Sequence, residues 1–246
     1  NFSAMGYDLT GPQVHADGEI WSATNFEIRQ ALNAQYEGAF PSSNASLQTR
    51  CANGEIPPDL CPGNRRWMQL VFDAMLLMPI APTMLDARDA QLAADVLRFG
   101  GANQNELWRA FAHRGFGANA SSSNTTADTD IDPTPDFRSP IHPFANVTFN
   151  VTTREGGNNP VSARIYVGHY QAGVSPIADT NPATSGQNLD DTAAFVAGEY
   201  EFVVNAPGYG HLRFHADING NTSPTFNIRM PTNYASKTQG AVASGD

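Results

Sequence analysis

GANASSSNTTADTDIDPTPDFRSP, residues 117–140, carries almost no apolar side chains and divides the chain into two parts with different periodicities. A stretch this polar buries too little surface to offset the entropy of ordering it, so it predicts a linker or a segment draped over a surface. Before it, apolar residues recur at helical spacing; after it, they alternate. The implied fold class is α+β and multidomain, a mainly α-helical part followed by an antiparallel β-sandwich. The divisions fall at 1–116, 117–140, 141–232 and a polar tail at 233–246.

Upstream of the break, Ile20, Trp21, Ile28, Ala31 and Leu32 predict a helix from Asp17 to about Gln35, with Asp17 and Glu19 in the first turn where the helix dipole favours anions. The segment from Tyr36 to Gly63 reads as a loop, broken by Pro41, Pro57, Pro58 and Pro62. NRRWMQLVFDAMLLMPI, residues 64–80, has hardly any polar face, which predicts a helix buried all round. Thr83 and Asp86 are spaced as a capping box for the next helix, which Gly100 and Gly101 end. Asn103 and Glu106 repeat the device for another helix stopped at Gly115, with His113 and Arg114 in the last turn where cations suit the dipole.

Downstream, NVTFNVTT alternates Val147, Phe149 and Val151, and ARIYVG, AFVA, YEFVVN and HLRFHA follow between Gly, Pro and Asn turns. Short strands at this spacing over about 100 residues are the pattern of a sandwich. Tyr200, Phe202, Tyr209 and Phe214 read as its core. His211 and His215 share a strand face without a third ligand nearby, and the alternating oxygens of Asp128, Asp130 and Asp132 lack the closing Glu of a calcium loop.

The chain has 246 residues, 41% of them hydrophobic and 15% charged, with a formal charge of −10, so its field repels phosphate backbones and argues against nucleic-acid binding. The longest apolar run, Leu70 to Ile80, is interrupted by Asp73 and Pro79 and falls short of the roughly 20 residues a bilayer span needs. No secretory leader follows Asn1 and the polar end lacks a closing element, so a piece of a longer precursor is expected. Cys51 and Cys61 bracket a loop of turn formers, either as two thiols or as a disulfide worth roughly 2–3 kcal/mol that implies an oxidising compartment. Asn1, Asn44, Asn119, Asn124, Asn146, Asn150 and Asn221 each open an N-glycosylation sequon, which is compatible with export.

GPQVHADGEIW at 11–21, WMQLVFDAMLLMP at 67–79 and ARDAQLAADVLRFGGANQNELWRAFAHRGFG at 87–117 together resemble the fungalysin family of secreted zinc metalloendopeptidases, relatives of thermolysin. The likeness runs from about Gly6 to Arg138 and implies the helical, C-terminal half of the catalytic domain. PVSARIYVG and GEYEFVVNAPGYG resemble a carboxypeptidase-regulatory-type β-sandwich, the kind of accessory module found behind secreted peptidases. Such enzymes hold zinc with H-E-x-x-H on a helix and a glutamate further along. This sequence contains no H-E-x-x-H. The resemblance therefore implies that zinc is held by an N-terminal chain or domain of the same precursor, that the substrates are proteins, and that this chain alone is inactive.

One functional residue carries across by position. His15, in the Val-His motif, corresponds to the imidazole that stabilises the oxyanion of the tetrahedral intermediate, and Asp8 is the candidate to orient it. A different class of function also fits: an extracellular structural or adhesive glycoprotein on a peptidase-derived scaffold.

Overall fold

The computed structural model describes residues 1–2, 14–122, 133–168, 176–181 and 189–233. Among these residues five α-helices come first: α1 (Val14–Tyr36), α2 (Ala45–Ala52), α3 (Gly63–Leu77), α4 (Met84–Phe99) and α5 (Gln104–His113). Seven strands follow: β1 (Phe144–Thr153), β2 (Arg164–Val167), β3 (Ala178–Asp179), β4 (Thr192–Val196), β5 (Gly198–Asn205), β6 (Leu212–Ile218) and β7 (Thr225–Met230).

The helices enclose a core of Phe2, Ile28, Leu32, Leu70, Leu107, Phe111 and Phe116. Burying each such side chain removes apolar surface from water and contributes about 1.5–3 kcal/mol. α1 and α3 cross so closely that a Cβ on Gly63 would fall 2.1 Å from the carbonyl oxygen of Leu32, so no larger residue opens α3 without moving backbone. α4 starts on the expected capping box: Thr83 N donates to Asp86 Oδ2 at 2.9 Å and Asp86 N donates back to Thr83 Oγ1 at 3.1 Å. It ends at Gly100 in the left-handed region.

Three helical expectations are corrected. The 36–63 segment contains α2, whose eight residues are nucleated by Asn44 Oδ1 accepting from Leu47 N at 3.0 Å, followed by a short 3₁₀ turn at Pro58–Leu60. Asn103 does not cap α5 with its side chain. It is used in the interior instead, with Nδ2 donating to Asp95 Oδ1 at 2.6 Å while Oδ1 accepts from Tyr36 Oη at 2.7 Å. α3 is not buried all round: Leu70 and Ala74 face the core, whereas Phe72, Met75 and Leu76 are exposed, Leu76 by 85%.

A disulfide joins Cys51 to Cys61 with Cα atoms 5.9 Å apart, resolving the choice between thiols and a bridge. It ties the end of α2 to the turn before α3. The buried Arg66 guanidinium fastens the same loop, with Nε donating to the Cys61 carbonyl at 2.9 Å and a further bond to the Asp59 carbonyl, while its face stacks 3.7 Å over the Tyr36 ring.

The strands form two sheets, one in the order β4-β1-β7 and one in the order β3-β2-β5-β6. β1 alternates outward and inward along its length, with Ala145, Val147, Phe149 and Val151 buried. The buried faces of both sheets share one core built on Phe149, Phe195, Tyr200, Phe202 and Ile228, with Phe214 and Phe226 packed against it. The rings meet mostly edge to face; Phe195 and Phe202 are 5.5 Å apart at 88°. The expectation of a wholly antiparallel arrangement is corrected at one pair. β1 and β7 run parallel, with Phe149 beside Phe226 and Val151 beside Ile228.

The polar segment is in part built into the fold. Gly117 N donates to the Asp136 carbonyl at 2.7 Å and Asp136 N to the Gly115 carbonyl at 3.0 Å, so residues 133–139 run beside the end of α5. The next residue, Phe137, is buried in the β core. Residues 123–132, including Asp128, Asp130 and Asp132, and the tail 234–246 lie outside the described residues.

Candidate active site

α1 places His15 in its first turn, and the side chain is exposed rather than sealed into the helical core. Two positions on, Asp17 is buried. Asp8 lies outside the described residues. Among the described residues, no three His, Cys, Asp or Glu side chains converge as ligands of a metal would, so the described residues do not fit the zinc that the resemblance implies. His215 is exposed on β6, its ring nitrogens 3.7 and 3.8 Å from Glu199 and Glu201.

Two concavities lie elsewhere. One of about 580 Å³ is walled by the disulfide loop and by Arg65, Met68 and Phe72 of α3. The other, of about 430 Å³, opens where the end of α5 meets β5, beside His113, Arg114, Glu199 and Tyr200. His15 lines neither.

Beside the second concavity, His113 and Arg114 join Glu27 in a charge cluster that residue order does not reveal. Glu27 of α1 accepts from Arg114 Nε at 2.6 Å through Oε2, and its Oε1 is 2.7 Å from His113 Nδ1. Burial works to raise the Glu27 pKa, but the bond and charge of His113 and the charge of Arg114 outweigh it, and the net shift is downward. Burial likewise works to lower the His113 pKa, and the Glu27 carboxylate together with the Glu199 carbonyl reverses it, so the imidazole is raised above its ordinary value. Sequence spacing could not reveal this set, because α1, α5 and β5 bring together residues more than 80 positions apart.

The sequons occupy varied surroundings. Asn44 spends its Oδ1 on the cap of α2. Asn119 Nδ2 donates to the buried Asp136 at 3.1 Å. Asn146 and Asn150 are exposed on β1, Asn150 donating to Asn227 Oδ1 at 2.8 Å, and Asn221 sits in a turn at φ 60°. Asn124 lies outside the described residues.

Residues 2–120 match the family model for fungalysin metallopeptidase. The extracellular metalloproteinase MEP of Fusarium vanettenii is 41% identical over 113 residues, 46% of this chain and 16% of that protein. Its counterpart in Neosartorya fischeri is 38% identical over 120 residues, 48% of this chain and 18% of that protein. A metalloproteinase of Aspergillus fumigatus is likewise 38% identical over 120 residues. The first half of the chain is thus similar to metallopeptidase sequence. This stretch is similar to the fungalysins, and the chain spans less than one-fifth of the length of these relatives. Among solved structures, the phospholipase PlaB from Legionella pneumophila aligns over 64% of this chain and 38% of its own at 13% identity and a TM-score of 0.25, too low to carry any argument. No helix among the described residues is long and apolar enough to cross a membrane.

Proposed function

We propose that residues 1–116 are the thermolysin-like, C-terminal helical part of the catalytic domain of a secreted fungalysin-like zinc metalloendopeptidase. Residues 141–232 are its accessory β-sandwich, 117–140 connect the two, and 233–246 form a tail. The observation that carries this reading is the family match over 2–120, which includes an exposed histidine in the first turn of α1.

In this reading His15 donates a hydrogen bond to the oxyanion that develops when a peptide carbonyl is attacked. A donor aimed at charge that exists only in the transition state lowers the barrier without tightening the ground state. Asp8 orients the ring. Zinc belongs to an N-terminal part of the same precursor, the substrates are proteins, and the chain by itself does not hydrolyse them. In the full-length protein, His15→Ala should lower kcat by about 10²–10³-fold while zinc content stays unchanged. Full peptidase activity in that variant removes His15 from the mechanism.

A second reading is a non-catalytic extracellular glycoprotein on the same scaffold. Its support is the set of sequons, among them the exposed Asn146 and Asn150 on one face of β1. Absence of peptidase activity from the full-length, zinc-supplied protein, together with glycans at these asparagines, would select it.

A further inference from the structure

An imidazole joins the end of α5 to the start of β5. His113 Nδ1 lies 2.7 Å from Glu27 Oε1 and Nε2 lies 2.9 Å from the carbonyl oxygen of Glu199. Both partners are acceptors, the carbonyl by its nature and the carboxylate because it already takes the Arg114 Nε–H. A neutral imidazole has one N–H and can satisfy only one of them. The arrangement is therefore that of an imidazolium, held between a carboxylate of the helical half and a backbone carbonyl of the β half.

The surroundings are shaped to this ring. It packs edge-on to Tyr200 with centroids 4.8 Å apart. Gly198 leaves the space it needs, since a Cβ there would stand 2.8 Å from His113 Cδ2. The other ionisable groups at the joint are accounted for. Arg114 pairs with Glu27, the Tyr200 hydroxyl donates to the Val196 carbonyl at 3.0 Å, and Glu199 and Glu201 face His215. Asn1 borders the same concavity.

We propose that His113 is a proton-dependent clasp between the two halves, closed while the ring carries both protons and released when it loses one. Loss of either proton breaks a bond to one half and leaves a ring lone pair facing an oxygen. Because the imidazole is more basic folded than unfolded, the clasp is fully closed below the ordinary histidine range near pH 6.5 and opens as the pH rises through the folded value.

The test is amide exchange of residues 198–202 in the 246-residue chain across pH 5–9, corrected for intrinsic rates, beside an NMR titration of the His113 ring. The ring should titrate above 6.5. Exchange at 198–202 should rise about ten- to a hundredfold along the same curve, as loss of a charge-assisted hydrogen bond implies. His113→Gln, which cannot titrate, should exchange at a rate that no longer follows the ring's titration curve. Gly198→Ala, which displaces the ring without removing it, should return the ring pKa toward 6.5 and raise exchange at acid pH. A wild-type ring titrating at or below 6.5, or wild-type pH dependence of exchange in His113→Gln or Gly198→Ala, overturns the proposal.

Discussion

The helical half and the β half solve the problem of burial differently. In the β half, alternation sends nearly every large apolar side chain inward, and among the described residues only Ile141 and Phe144 stand out in solvent there. The helical half buries polar groups as well as apolar ones. Asp95, fully buried, accepts from Asn103 N and Nδ2 and from Gln104 Nε2, while Phe72, Met75, Leu76, Ile80, Val96 and Leu97 are exposed on α3, on α4 and just beyond α3. A core of apolar side chains excludes water mainly by area; a core threaded by a polar network also depends on the geometry of each bond. The family match falls on the second kind of architecture.

The sharpest way to break this contrast is to open the β core. Phe202→Ala removes a ring at 0% exposure that touches Phe149, Phe195, Phe214 and Phe226, and should cost about 3–5 kcal/mol by denaturant titration. Strand signals should melt before helical ellipticity at 222 nm; coincident loss of both would show that the halves fold as one unit. A smaller effect sharpens the helical side. Thr83→Ala removes one arm of the α4 capping box and should cost about 1 kcal/mol, registered as a shift of the helical transition alone.

The smallest effect concerns a tie across the exposed α3 and α4 surface. Arg98 Nε and Nη2 hold Asp73 at 2.7 and 3.1 Å, and this bond pulls the carboxyl below its ordinary 3.8. A lowered carboxyl pKa means that the stabilisation is present above about pH 4 and lost as the pH falls through the folded value. With Arg98 half exposed, solvent screening holds it under about 1 kcal/mol. Asp73→Asn should remove that acid-side slope from a plot of stability against pH by lowering the plateau above pH 5 by under about 1 kcal/mol, with the two proteins converging at low pH.

Much of this contrast was legible in residue order. Thr83, Asp86 and Gly100 mark α4 because a helix end needs local partners, and local partners are near in sequence. Val147, Phe149 and Val151 mark β1 because a pleat has period two. α2 escaped notice because eight residues inside a proline-bounded loop carry no apolar stripe, and none of them is buried. The exposure of Leu76 escaped because composition says that a residue is apolar and not which neighbour covers it. The parallel pairing of β1 with β7, and the meeting of Glu27, His113 and Glu199, depend on chain reversals that no local spacing encodes. Of the candidate site, the Val-His motif drew attention to His15, and the structure adds its exposure on α1; its chemistry rests on the family likeness.

The parallel ladder between the first and last strands of the β half has a consequence for biosynthesis. β1 leaves the ribosome 77 residues before its partner register on β7 exists, since Asn150 bonds to Asn227. At about 5–20 residues per second, that edge waits roughly 4–15 s with unpaired backbone groups, a window in which a chaperone or a neighbouring nascent chain can reach it.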